Sequence, residues 1–189
     1  GVLRRDGGKF LLDGKDLFAD SRLRSQYVGF VPQGTPLLEE LTARDNLLLW
    51  YEREELKQEL EKGVLKMLGI GEFLKVPVSK MSGGMKKRLS IGCAMAKKPP
   101  ILLLDEPTAA LDPIAEAQVY AGFDTLIGDR TAVYISHRLS SCKFCDEIAV
   151  FHEGAVIQHG THAELVVDEN GKYHELWNAQ AQYYTEKTA

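Results

Sequence analysis

The spacing of hydrophobic residues changes several times along the chain, and each spacing predicts an element. Residues 9–12 form a short apolar strand closed by the turn pair Asp13-Gly14. Residues 27–31 form a second strand, ended by Pro32, whose ring fixes φ and removes a donor. Residues 41–47 read as a helix start: Thr42 caps, and Asp45 three residues on suits the positive end of the helix dipole. The helical pattern, rich in Glu and Lys, runs to Leu68 and stops at Gly69 and Gly71, which predicts a small all-helical lobe with a solvated outer face. Ser82-Gly83-Gly84 opens another helix to about Ala96, with Leu89, Cys93 and Ala96 on one face and Pro99-Pro100 as its stop. Ile101-Leu102-Leu103-Leu104 is apolar at every position, the pattern of a strand buried on both faces, and Thr131–Ile135 is a second strand of that type. A helix is expected between them, over residues 114–127. Two strands at 147–151 and 155–158 flank a Glu153-Gly154 turn, and helices near 162–167 and 173–184 close the chain. Strands alternating with helices predict an α/β fold on a parallel-rich sheet.

Composition narrows what such a fold can serve. With 23 basic and 27 acidic residues the 189-residue chain carries a net charge of −4, so no strong positive field is present to hold nucleic acid and no nucleic-acid partner is expected. No apolar run approaches the roughly 20 residues that a membrane span needs. Arg4, Arg5 and Asp6 lead into Gly7-Gly8 with no apolar stretch behind them, so no signal peptide is read there and the expected location is the cytosolic side. The three cysteines are an odd number, which argues against a disulfide framework. Cys142 and Cys145 stand as C-x-x-C without a second ligand pair at short spacing, so the expectation is two small side chains one helical turn apart, not zinc.

Chemistry concentrates at four places. Asp105 and Glu106 follow the apolar strand directly, at the carboxyl end where open α/β sheets bind ligands. Asp105 suits Mg²⁺, a hard cation that takes one or two carboxylates plus phosphate oxygens. Glu106 points elsewhere, and can orient and polarise a water for attack on a phosphate. Ser82-Gly83-Gly84-Met85 begins a helix, whose unsatisfied N–H groups and partial positive charge favour an anion. Lys86, Lys87 and Arg88 add local positive charge. Gln33 follows a strand, where a neutral amide can contact a metal or its water, and His137 follows the strand that ends at Ile135, where an imidazole can bond a phosphate or the attacking water.

Taken in order, Gln33, Ser82-Gly83-Gly84-Met85, Leu104-Asp105-Glu106-Pro107, Ala110-Leu111-Asp112 and His137 closely resemble the motifs of ABC (ATP-binding cassette) ATPases. They match, respectively, the Q-loop glutamine, the signature, the Walker B strand with its catalytic glutamate, the D-loop and the switch histidine. The resemblance implies a P-loop NTPase-like core with a parallel-rich sheet flanked by helices. It also implies ATP and Mg²⁺ as cofactors, a second nucleotide-binding domain in a head-to-tail dimer, and a transmembrane domain as partners. Gln33 and Asp105 are then metal-site residues, Glu106 and His137 catalytic ones, and Gln33 again with Ser82, Gly83, Gly84, Met85 and Asp112 nucleotide contacts. One ABC ATPase-like domain is expected over 1–189, with residues 42–96 as an inserted helical subdomain and 1–41 with 97–189 as the catalytic core. The family's phosphate grip, G-x-x-x-x-G-K-S/T, fits none of the pairs Gly8-Lys9, Gly14-Lys15 and Gly171-Lys172. The N-terminal strands and Walker A helix are therefore expected to be missing, before residue 1, which implies weak turnover by this chain alone. A catalytically inert module that only completes a partner's ATP site is the alternative. Residues up to Asp112 resemble cassettes that pair with separate membrane subunits, and those from Pro113 on resemble exporter cassettes, so a truncated or hybrid copy serving export is expected.

Overall fold

The computed structural model describes residues 7–19, 21–108, 122 and 127–186, the side chains of 21, 140 and 182–186 excepted. The chain folds as two compact units, Gly1–Ile135 and Ser136–Ala189. The expected D-loop residue Asp112, and the expected helix over 114–127 apart from Gly122 and Ile127, lie outside the described residues.

The first unit opens on a hairpin. β1 (Leu11–Leu12) pairs antiparallel with β2 (Lys15–Asp16), and the turn places Asp13 at φ 48° and Gly14 at φ 75°, as a tight hairpin turn requires. Helix α1 (Ser21–Tyr27) follows. It occupies a stretch whose apolar spacing predicts no element, and it takes Tyr27 from the expected strand. β3 (Val28–Val31), β4 (Ile101–Asp105) and β5 (Thr131–Ile135) form a parallel sheet in that order. Val28 stands beside Ile101 and Ile101 beside Thr131. The pleat sends Val31, Leu102, Leu104, Ala132 and Tyr134 to one face, which belongs to the main core.

The opposite face is different. Phe30, Val133 and Ile135 are 49%, 47% and 53% exposed. The expectation that Thr131–Ile135 is buried on both faces is thus corrected. Among the described residues β5 pairs with no strand but β4, and its side chains alternate between exposed and half-buried.

The helical lobe supplies the rest of the main core. α2 (Ala43–Leu47), α3 (Arg53–Lys62), α4 (Val64–Met67), short 3₁₀ turns at Ile70–Phe73 and Val78–Lys80, and α5 (Gly83–Met95) follow one another. The continuous helical pattern is broken at Gly63, which is extended (φ −103°, ψ −160°), and α4 ends at Gly69 in the left-handed region (φ 64°). Leu47, Leu65, Ile70, Leu89 and Ile91 are buried between these helices, and each such side chain contributes about 1.5–3 kcal/mol of hydrophobic stabilisation. The Tyr51 hydroxyl donates to the Gly92 carbonyl at 2.8 Å, tying the lobe's outer helices to the middle of α5.

The second unit has its own core of Leu139, Ile148, Val150, Leu165 and Tyr173. A 3₁₀ segment, Leu139–Phe144, precedes the antiparallel hairpin β6 (Ile148–His152) and β7 (Ala155–Gly160). Its turn residues Glu153 and Gly154 sit at φ 47° and 79°. α6 (His162–Val167) is capped by Thr161, with Glu164 completing a capping box, and α7 (Lys172–Glu186) ends the chain's described part. Cys142 and Cys145 pack on this core. Burial pushes the Cys142 thiol up to about 11 and raises that of Cys145, which removes the thiolate that redox exchange or metal binding uses. Among the described residues no helix is long and apolar enough to cross a membrane.

Candidate functional site

Three of the expected residues come together at the carboxyl ends of β3 and β4. Gln33 lies two residues past the end of β3, and its Nε2 donates to Glu106 Oε2 at 3.2 Å. Asp105 is the last residue of β4. Parallel pairing in register, Val31 beside Leu104, delivers both chain ends to the same level. The loop after Gln33 is held by the buried Asn46. Its Nδ2 donates to the carbonyls of Leu38 and Thr42, and its Oδ1 accepts from the Leu38 N–H.

Glu106 has an unusual backbone. Its φ is 43°, a left-handed conformation that costs a non-glycine residue about 1–2 kcal/mol. The Glu106 N–H donates to the Ile135 carbonyl at 2.9 Å. This bond anchors the turn to the end of β5 and offsets part of that cost.

The signature segment stands at the start of α5. Ser82 is the N-cap (φ −65°, ψ 160°), and its hydroxyl oxygen accepts from the Met85 N–H at 3.2 Å. The N–H groups of Gly83 and Gly84 precede any helical carbonyl partner, and Ser82 and Gly83 are exposed. One turn further, Lys87 is only 1% exposed. Its Nζ donates to the carbonyls of Pro32 at 2.7 Å, Gln33 at 3.2 Å and Asp105 at 3.3 Å. Burial pulls the Lys87 ammonium below its ordinary 10.5, and the negative charges of Asp105 and Glu106 oppose that shift. Sequence reasoning counts Lys87 only as part of a basic run; the signal that sets it apart is its helical spacing, on the buried side with Ser90 and Ile91.

His137 lies in the second unit, and its side chain is exposed. Its carbonyl accepts from Gln180 Nε2 at 2.6 Å, and the Gln180 Oε1 accepts from the Leu139 N–H, so α7 fixes the backbone that carries the imidazole.

The donors at the strand ends are hard oxygens, the Asp105 carboxylate and the Gln33 amide oxygen. That set fits Mg²⁺, which completes its shell with water and phosphate oxygens and needs no all-protein cage. Among the described residues no cluster of three or more His, Cys, Asp or Glu is able to hold a metal. Beside the Gln33 loop an open cavity of about 440 Å³ is lined by Phe30, Leu37, Leu38, Leu49, Trp50 and Cys93, among others.

A family model described as ABC transporter matches residues 1–109. The chain belongs to that family. ABC multidrug transporter MDR2 of Trichophyton equinum is 36% identical over 189 residues, covering 92% of this chain, so one natural relative spans both sides of Pro113. The mitochondrial iron-sulfur clusters transporter ABCB7 of Oryzias latipes is 46% identical over 101 residues, 53% of this chain. Among solved structures, a bacterial Atm1-family ABC exporter with ATP bound superposes with a TM-score of 0.80 at 30% identity, covering 93% of this chain and 32% of that one. The chain spans 14% of the length of these two ABC transporter sequences.

Proposed function

We propose that this chain is part of the ATP-binding and ATP-hydrolysing domain of an ABC transporter, and that it drives export across a membrane. The observation that carries the reading is the Gln33–Glu106 contact of 3.2 Å at the mouth of a parallel sheet, beside a glycine-opened helix start. Asp105 and Gln33 hold Mg²⁺, which when bound neutralises charge on the nucleotide's phosphates. Glu106 orients and polarises the attacking water, and Gln33 steadies its carboxylate. His137 bonds the γ-phosphate or that water. Ser82, Gly83, Gly84 and Met85 offer their helix N-terminus to ATP held by a second nucleotide-binding domain, and Asp112, which matches the D-loop, is assigned to nucleotide binding with them. Residues 42–96 are the helical signature subdomain, with 1–41 and 97–189 as catalytic core. The apolar cavity beside the Gln33 loop, with Trp50 53% exposed, supports a protein partner there, which we assign to the transmembrane domain on the cytoplasmic side.

The 189 residues contain no G-x-x-x-x-G-K-S/T, the motif that cradles the β- and γ-phosphates. These residues alone therefore turn ATP over weakly. That same fact favours a second reading, in which this chain only completes a partner's site through Ser82–Met85. Glu106→Gln in the intact transporter decides between them. The catalytic reading expects ATP binding to persist while turnover falls by about 10²–10⁴-fold, the usual worth of a positioned base. Turnover equal to the parent's would refute it and leave the second.

A further inference from the structure

We propose that Lys87 is a positioning residue of this site: its buried ammonium locks the peptide that presents Glu106 to the helix that Ser82 opens. The inference rests on the catalytic reading above. A lysine ammonium has three donors, and all three meet backbone carbonyls, those of Pro32, Gln33 and Asp105. Each acceptor lies at or next to a residue of the site. The Asp105 carbonyl and the Glu106 N–H belong to one peptide group. Lys87 holds its oxygen at 3.3 Å and Ile135 holds its nitrogen at 2.9 Å. Gripped from both sides, that plane cannot rotate to relieve the φ of 43° at Glu106. The bonds to Pro32 and Gln33 set the base of the loop from which the Gln33 amide reaches the same carboxylate. A neutral apolar side chain at 87 would take the ammonium's donors from three part-buried carbonyls and free the peptide to turn. Lys87 sits one turn into the helix whose first residues face the partner's nucleotide, so a displacement there is passed to the Glu106 peptide through a single side chain.

The test compares Lys87→Met with the parent in the intact transporter, in otherwise unchanged and in Glu106→Gln backgrounds. With Glu106 present, kcat should fall at least about tenfold, the scale of a slightly misplaced group, while the KM for ATP stays within about threefold. In the Glu106→Gln background, whose carboxylate is already gone, the same substitution should change the residual rate by less than about threefold. Lys87→Arg, which keeps charge and donors, should recover most of the lost kcat. Equal factors in the two backgrounds, a loss confined to KM, no loss in kcat, or no recovery with arginine each overturn the assignment. If the methionine variant does not assemble, Lys87→Gln is held to the same two backgrounds. Unimpaired turnover in Glu106→Gln alone would instead sink the catalytic reading itself, whereas a normal Lys87→Met rate with a dead Glu106→Gln would sink only the role of Lys87.

Discussion

Glu106 holds its backbone at φ 43°, and the cost of that conformation can be measured by comparing two substitutions at one position. Glu106→Ala and Glu106→Gly both delete the carboxylate and its bond to Gln33, so those effects cancel in the comparison. What differs is the left-handed backbone. Alanine keeps the steric cost of about 1–2 kcal/mol. Glycine removes it but loses about 0.5–1 kcal/mol of chain entropy on folding. The glycine variant should therefore be more stable than the alanine variant by about 0.5–1 kcal/mol. For a chain of this size that corresponds to roughly 1–4 °C in Tm. Urea denaturation followed by circular dichroism, with a parallel thermal melt, reads the difference directly. ATP turnover should be lost equally in both, because neither retains the side chain that handles the water. An alanine variant as stable as the glycine one, or more so, would show that Glu106 is not held in the left-handed region and that no strain is stored there. The positive outcome would place a stability cost at the residue on which turnover depends, the trade expected where selection keeps a strained functional group.

Two further outcomes test the frame around the site. Gly29→Ala would set a Cβ 2.9 Å from the Ala94 carbonyl oxygen and 2.7 Å from the Pro99 ring; since neither can yield easily, a loss of about 1–3 kcal/mol in urea unfolding is expected, and an unchanged midpoint would rule out the close β3–α5 packing. Asp45 has its carboxyl held below the ordinary 3.8 by hydrogen bonds from the Thr42 hydroxyl and then the Thr42 backbone N–H. A carboxyl lowered on folding stabilises the protein above its unfolded value and loses that contribution as pH falls through the folded one. Asp45→Asn should therefore flatten the decline of the urea midpoint below about pH 4, and an identical acid limb in parent and variant would count against the capping box.

Local chemistry made much of this protein readable from the sequence. Thr42 with Asp45 and Ser82 with Met85 act within three residues of one another, so their caps follow from residue type and spacing. Asp13-Gly14 and Glu153-Gly154 turn where their sequence says, since few pairs accept two positive φ angles. The run Ile101–Leu104 declares a strand, and the acids after it declare where that strand opens. Other features depend on what packs against what. Thr131–Ile135 has the composition of a strand covered on both sides, yet coverage is a property of neighbouring layers, and the face carrying Val133 and Ile135 has little. Ser21–Tyr27 is helical with few apolar residues to announce it. Lys87 is the clearest case. Lys86-Lys87-Arg88 looks like a solvated basic run, and only the docking of α5 beneath β3 and β4, across separations of 55, 54 and 18 residues, gives the middle ammonium its three carbonyls. Short-range bonding is written in residue order, whereas burial of a charge is decided by elements that meet only after the chain has folded.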